Sequence, residues 1–214
     1  MTSRTYGDGC AIARALDVVG ARWALLVVRE LLFGPLRFTD LRRALPNAST
    51  NMLADRLREL GDAGVITQRQ LAPPAAATVY ELTKLGRGLE PILDALGEWG
   101  LQMPRPEPAQ LSPASVMLFL QGAAQPSRKL DGSKFLVELS DRPFAVLCAD
   151  GRLRARAGAP DDPNGSLRTE PRTLYQLLCR QADLTTVIED GRVCVAGEQS
   201  QLAALIDAVP DAAT

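Results

Sequence analysis

A polar face on one leucine-rich segment is the first place where residue types and spacing point to chemistry. The segment "LPNASTNMLADRLRELGDAG", residues 45–64, places Asn51 and Arg58 on one side of a helix, and Ser49 is suited to cap its start. The opposite side carries a leucine at each turn: Leu53, Leu57 and Leu60. A helix with an apolar stripe and an outer face of hydrogen-bonding side chains can pack on a core and still bind a polar ligand.

The residue types of that outer face suit nucleic acid. The N-terminal turn of a helix offers free N–H groups and partial positive charge to a phosphate, and Ser49, Thr50 and Asn51 occupy this turn. In a helix that enters the major groove, Asn51 can read adenine and Arg58 can read guanine through paired hydrogen bonds. The alternative is an ordinary helix start followed by an ordinary solvated face.

The elements around this helix follow the order of a winged helix-turn-helix. A short helix over residues 38–45 and a turn at Pro46 come before it, and strands at 65–70 and 79–82 come after it. Between residues 37 and 69, six arginines stand against four acidic residues. This modest local excess of positive charge favours an anionic partner.

Further helices are predicted at both ends of this region. Apolar residues at helical spacing indicate a first helix, and residues 23–32 are apolar enough for a buried second helix that ends at Gly34. Thr83 is suited to cap a long helix over residues 84–103. The apolar stripe of the first helix is Ile12, Ala15, Leu16 and Val19. The long helix has a coiled-coil-like seam of Leu85, Leu89, Ile92, Leu96, Trp99 and Met103.

Composition excludes several classes of function. The chain has no histidine, and its four cysteines are dispersed, so we expect no metal site, no cofactor and no catalytic residue. Phosphate-binding and nucleophile motifs are also lacking, which argues against an enzyme. No signal peptide is apparent, and the uncharged stretch at residues 111–127 is short for a membrane span. We therefore expect a cytoplasmic protein with reduced thiols and no membrane partner.

Four prolines in residues 102–113 predict a boundary between two domains, because alternating prolines favour an extended spacer. The predicted organisation is a first domain at 1–103, a linker at 104–112 and a second domain at 113–214. In the second domain, helical spacing alternates with strand spacing, so the fold class is α+β. Helices are expected at 115–124, from Thr169 and Pro171 onward, and at 202–209, with strands at 135–139, 144–149, 152–156 and 193–195.

Residues 8–101 resemble the HxlR family of bacterial transcription regulators, relatives of the MarR type. The resemblance lies in "ALDVVGARWALLVVRELLFGPLRFTDLRRALPNASTNMLADRLRELGDAGVI" and "VYELTKLGRGLEPILDALGEW". It implies a winged helix-turn-helix that binds double-stranded operator DNA as a homodimer. It assigns the dimer contact to the terminal helices, including the one at 84–103, whose contact residues are Leu85, Leu89, Ile92, Leu96 and Trp99.

The same resemblance places the DNA contacts. Ser49, Thr50, Asn51 and Arg58 map to the recognition helix, and Arg37 maps to the start of the preceding helix. Two further arginines are candidates. Arg56, at the edge of the leucine stripe, either reaches a phosphate or pairs with an acid. The predicted wing tip, "LAPPAAAT", has no basic residue, which leaves Arg69 and Gln70 at the base of the hairpin.

Cys10 is a candidate redox sensor. It precedes the first helix, where the N-terminal partial charge stabilises a thiolate, and HxlR-type proteins often carry a cysteine there. The alternative is a small, partly buried residue with no reactivity.

Residues 113–210 resemble sterol-carrier-type lipid-transfer domains, chiefly in "SLRTEPRTLYQLLCRQADLTTVIEDGRVCVAGEQSQLAALIDAV". The resemblance implies a sheet of about five strands, covered by helices around an apolar cavity. The candidate lining residues are Phe119, Leu120, Phe135, Phe144, Leu174 and Leu178. The alternative is that these residues form an ordinary core.

The sequence therefore predicts a homodimeric, sequence-specific transcriptional regulator of α+β fold. Its control is expected from an apolar small-molecule effector in the second domain or from oxidation of Cys10. A second hypothesis is a lipid or small-molecule carrier whose winged helix mediates protein association.

Overall fold

The apolar residues of the chain collect in two cores, one in each half of the sequence. The computed structural model describes residues 5–72, 76–104 and 110–210. It divides the chain into a first unit, Met1–Gln102, and a second unit, Met103–Thr214. Most of the predicted linker, residues 105–109, lies outside the described residues.

The first unit has six helices and three short strands among its described residues. The strands form one antiparallel sheet in the order β1-β3-β2. In chain order the elements are α1 (Ala11–Val19), α2 (Ala24–Leu31), β1 (Leu36–Arg37), α3 (Phe38–Ala44), α4 (Thr50–Asp62), β2 (Ile66–Gln70), β3 (Thr78–Leu82), α5 (Lys84–Arg87) and α6 (Glu90–Gly100).

The apolar stripes predicted for the central helices form the core of the first unit. Each helix contributes side chains that are at most 3% exposed, and the hairpin β2–β3 closes the core with Ile66 and Val79. These helical contributions are Val27, Val28 and Leu31 from α2, Leu41 from α3, and Leu53, Leu57 and Leu60 from α4. Together α3, the turn at 45–49, α4 and the hairpin form the predicted winged helix-turn-helix.

One prediction for the helices of this unit is wrong in detail, and one predicted apolar stripe is mostly exposed. The long helix expected at 84–103 is broken into α5 and α6, and it ends at Gly100. Pro91 explains the break, because it has no N–H for the preceding turn and its ring crowds that turn. The apolar stripe of α1 is also mostly uncovered, since Ile12 is 73% exposed and only Ala13 and Val19 are buried.

Glycine is required where α5 meets the start of the hairpin. A Cβ added at Gly86 would lie 2.1 Å from the backbone oxygen of Val65. Thr83 caps α5 by accepting a hydrogen bond from the Gly86 N–H at 3.2 Å, and its hydroxyl donates to the Gly64 carbonyl at 2.6 Å. These contacts hold the base of the wing against the helix that follows it.

The second unit is a five-stranded sheet with helices packed on one face. The strand order is β6-β5-β4-β7-β8; β4 and β7 are parallel, and the other neighbours are antiparallel. The elements are α7 (Pro113–Ala123), a 3₁₀ turn (Arg128–Leu130), β4 (Lys134–Leu139), β5 (Arg142–Ala149), β6 (Arg152–Ala157), β7 (Gly165–Thr169), α8 (Pro171–Leu178), α9 (Leu184–Glu189), β8 (Val193–Gly197) and α10 (Gln199–Asp207).

Alternation along the strands separates a core face from an outer face. Phe135, Val137 and Leu139 of β4 point into the core, as predicted, and a Cβ at neighbouring Gly165 would meet Leu202 of α10. The helices therefore cover this face. The outer face carries the alternate residues of each strand: Lys134, Leu136, Glu138, Ala145, Leu147, Arg152, Arg154, Arg156, Ser166, Arg168, Cys194 and Ala196.

The sequence interpretation missed two elements of this unit and misplaced one cap. Thr169 was expected at a helix start, but it is the last residue of β7 and donates to the Arg192 carbonyl at 2.7 Å. Glu170 is the N-cap of α8, and Pro171 is its first residue. Strand β7 and helix α9 were not predicted, because each has only five or six residues and too little periodicity to distinguish it from a loop.

Candidate nucleic-acid interface

Helix α4 presents the predicted polar face to solvent. Ser49 caps the helix, with its hydroxyl oxygen accepting the Met52 N–H at 3.3 Å. Thr50, Asn51 and Arg58 are exposed on the side away from the buried leucines. The exposed Ala54 lies between them and leaves room for a ligand to approach the helix backbone. The helix therefore combines a rigid seat with an accessible hydrogen-bonding surface.

Arg58 is paired within its own helix. Its Nη2 lies 2.7 Å from Oδ1 of Asp55, one turn earlier, and both side chains are about half exposed. Such a surface pair is weak, contributing about 0–1 kcal/mol. The guanidinium can therefore exchange this partner for a base edge or a phosphate at little cost.

Arg56 lies in a different environment from Arg58. Its Nη2 donates to Oε1 of Glu59 at 2.8 Å, and its side chain is only 14% exposed. Of the two roles open to this residue, the pairing with an acid is the one that the geometry displays. The contact anchors the arginine against the edge of the leucine stripe.

Arg37 lies at the junction of β1 and α3. It is exposed, it is the N-cap residue of α3, and its backbone N–H donates to Oδ2 of Asp40 at 3.2 Å. Arg43, in the last turn of the same helix, is also exposed and was not among the candidate contacts. The local excess of arginine was the signal that pointed to it.

Arg69 and Gln70 were predicted at the base of the hairpin, but they lie at the end of β2 next to the tip. The β2–β3 ladder runs from the Ile66–Leu82 pair to the Gln70–Thr78 pair next to the tip. Arg69 lies 3.3 Å from the Glu81 carboxylate, and the Gln70 amide donates to the Thr78 hydroxyl at 2.8 Å. Residues 73–75 of the expected wing tip lie outside the described residues.

An exposed apolar surface follows the seam predicted for α5 and α6. Leu85, Ile92, Leu96 and Trp99 are between 45% and 65% exposed, and Leu89 is half-buried. In α6 only Leu93 is buried. Large apolar side chains grouped in this way are typical of a protein–protein interface.

Cys10 is the N-cap residue of α1. Its Sγ accepts the Ala13 N–H at 3.3 Å, and the side chain is exposed. Among the other cysteines, Cys148 is buried, Cys179 is half-buried and Cys194 is exposed. Cys10 is therefore accessible to a reagent in solvent, as a sensor would require.

The six candidate ligand-lining residues of the second unit occupy its core face. Phe119 is half-buried, with its ring centroid 5.2 Å from that of Tyr175. The other five are at most 2% exposed: Leu120, Phe135, Phe144, Leu174 and Leu178. A cleft of about 150 Å³ lies elsewhere, among residues of β4, β7 and β8 that include Glu138, Arg168 and Cys194.

The described part of the chain also bears on metal binding and on membrane-spanning helices. Within it, no group of three or more histidine, cysteine, aspartate or glutamate residues is arranged to hold a metal ion. No helix within residues 5–72, 76–104 and 110–210 has the length and apolar character needed to span a bilayer.

Known proteins resemble the first unit. A family model described as HxlR-like helix-turn-helix matches residues 18–107. The uncharacterized HTH-type transcriptional regulator YvaP of Bacillus subtilis (strain 168) is 36% identical over 89 residues, covering 42% of this chain and 82% of YvaP. An uncharacterized HTH-type transcriptional regulator of Methanothermobacter thermautotrophicus is 40% identical over 92 residues, covering 42% of this chain and 70% of that protein.

A solved structure, that of the redox regulator HypR in its oxidized form, is 32% identical with a TM-score of 0.43. The alignment covers 45% of this chain and 100% of HypR. The matched family and both curated relatives are of the regulator type, and none is an enzyme by name.

Proposed function

The chain belongs to the HxlR-like helix-turn-helix family, and from this premise we propose that it is a transcriptional regulator that binds a specific operator as a homodimer. The observation that carries the proposal is the outer face of α4. Leu53, Leu57 and Leu60 seat the helix on the core, while Asn51 and Arg58 are exposed on the opposite side. This is the arrangement required of a recognition helix.

In the proposed complex, the outer face of α4 lies in the major groove. Asn51 forms paired hydrogen bonds with an adenine, and Arg58 leaves Asp55 to form them with a guanine. Ser49, Thr50 and the free N–H groups of the first turn face a phosphate. Arg37 and Arg69 neutralise backbone charges on either side, and Arg56 supports the helix through Glu59.

The homodimer is supported by the exposed seam of Leu85, Ile92, Leu96 and Trp99 on α5 and α6. Covering these side chains with the same surface of a second chain removes apolar area from water, which favours association. Two recognition helices related by a two-fold axis would then read two half-sites.

Fluorescence anisotropy against duplex DNA from upstream of the gene tests the proposal, with scrambled DNA as the reference. We expect Asn51→Ala and Arg58→Ala each to weaken operator binding by about 1–3 kcal/mol, roughly fivefold to 150-fold. Arg128→Ala, which removes one exposed charge from the second unit, is the matched control. Equal affinity of both helix variants and the wild type would remove α4 as the reading element.

We also propose that oxidation of Cys10 controls DNA binding. Its exposure and its position at the N-terminus of α1 support this role. An oxidant should change the operator affinity of the wild-type protein and leave Cys10→Ser unchanged, while Cys194→Ser, which lacks another exposed thiol, should respond like wild type. A full response in Cys10→Ser would overturn this part of the proposal.

The second unit is proposed to be a sterol-carrier-like domain that takes an apolar effector. Its five-stranded sheet with helices on one face supports the kinship. Phe119, half-buried against Tyr175, is the proposed point of entry to the core face. An effector controls the regulator only if it binds the DNA-competent and DNA-incompetent states differently. Equal operator affinity across a panel of fatty acids and sterols would remove the idea.

A further inference from the structure

Three arginines, here called the arginine ladder, lie on one face of β6, the edge strand of the second unit. Arg152, Arg154 and Arg156 alternate with the core-facing Leu153 and Ala155 along β6, so all three lie on the outer face of the sheet. All three are exposed. Because successive residues on one face are about 6.8 Å apart, the ladder spans about 13 Å.

The rest of the outer face reinforces this charge. It adds Lys134 and Arg168 to the ladder, and its single acidic residue is Glu138, whose carboxylate lies 3.1 Å from Arg168. Residues 103–214 as a whole carry twelve basic and fourteen acidic side chains. The positive face is therefore a local concentration of charge within a slightly acidic half of the chain.

Protection of the sheet edge does not by itself explain the ladder. A charged residue on an edge strand discourages pairing with other strands, but charges of either sign serve that purpose. Three arginines with no intervening acid create a field that attracts an extended anion. The ladder is the right length for this, because a duplex of DNA carries about eight phosphate charges over 13 Å.

We propose that the outer face of the second unit is a second DNA-binding surface, in which Arg152, Arg154 and Arg156 contact phosphates of duplex DNA. Contacts of this kind are independent of sequence, and they would add affinity and salt dependence to the sequence-selective contacts of α4. The face has no aromatic side chain on which unpaired bases could stack, which favours a duplex over a single strand. The inference rests on the proposed function for its choice of anion.

The experiment is a salt titration of binding by the intact protein to a duplex that extends several helical turns beyond its operator. The test variant carries Arg152→Gln, Arg154→Gln and Arg156→Gln together. The control variant carries Arg128→Gln, Lys129→Gln and Arg172→Gln, which removes the same charge from exposed positions on the 3₁₀ turn and on α8. A third variant with lysine at all three ladder positions keeps the charge.

We expect the test variant to bind the duplex more weakly. The slope of log K against log salt should fall in magnitude by about one to three, since each lost phosphate contact accounts for about 0.9. The control and the lysine variant should keep the wild-type slope. Equal slopes in the test and control variants would overturn the inference, even if binding remains selective for the operator. If the wild type does not distinguish operator from scrambled DNA, the proposed function itself is overturned.

Vesicles of equal parts phosphatidylserine and phosphatidylcholine provide the competing anion. The wild type could bind these vesicles while the test variant does not, with the same salt slope for DNA in both. That result would assign the ladder to a membrane surface and overturn the DNA inference. Circular dichroism and thermal unfolding of each variant establish that its fold is intact, and the lysine variant keeps the comparison decisive if the glutamine variant is unstable.

Discussion

Asp55 and Arg58 form an ion pair on the outer face of α4, the surface that is proposed to contact DNA. The carboxylate lies 2.7 Å from the guanidinium and adds a negative charge to the surface that phosphates approach. Since the pair is exposed, it stabilises the fold little. We expect its main effect to be weaker binding of DNA. In the proposed complex, the Asp55 carboxylate would lower the affinity for every DNA sequence, while Asn51 and Arg58 would read the bases.

We therefore predict that Asp55→Asn strengthens operator binding on the order of threefold to tenfold. The substitution frees Arg58 and removes one repulsive charge. Anisotropy at fixed salt measures the change, and Asp190→Asn, which breaks a similar surface pair with Arg192 in the second unit, should have no effect. Weaker binding by Asp55→Asn would mean that the carboxylate itself accepts a hydrogen bond from a base.

Cys148 is buried, whereas Cys10 and Cys194 are exposed. Burial, and secondarily the charge of Asp131, raises the pKa of its thiol from 9.0 to about 11. Folding therefore favours the protonated form. The stabilisation from this shift is complete below about pH 9 and is lost as the pH rises through about 11.

This shift predicts a loss of stability on the order of 2 kcal/mol between pH 9 and pH 11, where the figure follows from about 1.4 kcal/mol per pKa unit. Urea unfolding across this range measures it. Cys148→Ala should be less stable throughout but should depend less on pH, and Cys194→Ala should keep the wild-type dependence. An unchanged pH dependence in Cys148→Ala would assign the alkaline loss to another group.

At the scale of elements, the join between the wing and α5 depends on close backbone approach. The Val65 carbonyl occupies the space that a side chain at position 86 would need. The wing is therefore held at its base by packing and by Thr83, and its direction follows from that contact. A change at Gly86 should propagate to the hairpin.

We predict that Gly86→Ala destabilises the protein by about 1–3 kcal/mol or more, the usual cost of overpacking. Gly61→Ala in α4 is the matched control, because an added Cβ there meets nothing within 4 Å. It should stabilise the helix by up to ~1 kcal/mol. Thermal or urea unfolding compares the two, and equal stability of both variants would contradict the close approach.

At the scale of the whole molecule, the uncovered apolar seam is the strongest sign of an assembly. Ile92 and Leu96 are about half exposed on α6, and Ile12 on α1 is exposed further. A soluble chain rarely leaves so many large apolar side chains in water. The exposed stripe of α1 is explained in the same way if a second chain covers it.

We predict that the double variant Ile92→Glu, Leu96→Glu converts a dimer into a monomer and weakens operator binding, since one subunit reads only one half-site. Light scattering after size-exclusion chromatography measures the mass. Met52→Glu, a similar change at an exposed apolar residue of α4, should stay dimeric. A monomeric wild type, or a double variant that remains dimeric, would refute the interface.

Much of the fold was predictable because the spacing of apolar residues within a single helix or strand indicates which of its faces is buried. Leu53, Leu57 and Leu60 recur at the period of one helix face, so their burial and the exposure of Asn51 and Arg58 follow from spacing alone. Alternation of Phe135, Val137 and Leu139 likewise predicted a strand with one buried face. The matched family then confirmed the winged helix-turn-helix that these patterns favoured.

Other features were decided only by the tertiary structure, because they depend on partners distant in sequence. The two-residue strand β1 exists because Leu36 and Arg37 pair with Tyr80 and Val79, which no local pattern indicates. Strand β7 forms a parallel pair with β4, which precedes it by some thirty residues. By contrast, the pairing of Arg58 with Asp55 could be predicted from the sequence, because the two residues are one helical turn apart.

The sequence alone determined which faces of its helices are apolar, because that information is periodic. It did not determine which apolar faces the chain covers, since burial depends on what packs against each face. The arginines of β6 show the same division. Their alternation predicts a common side, but only the tertiary structure places β6 at the sheet edge with its arginines on the face opposite the helices.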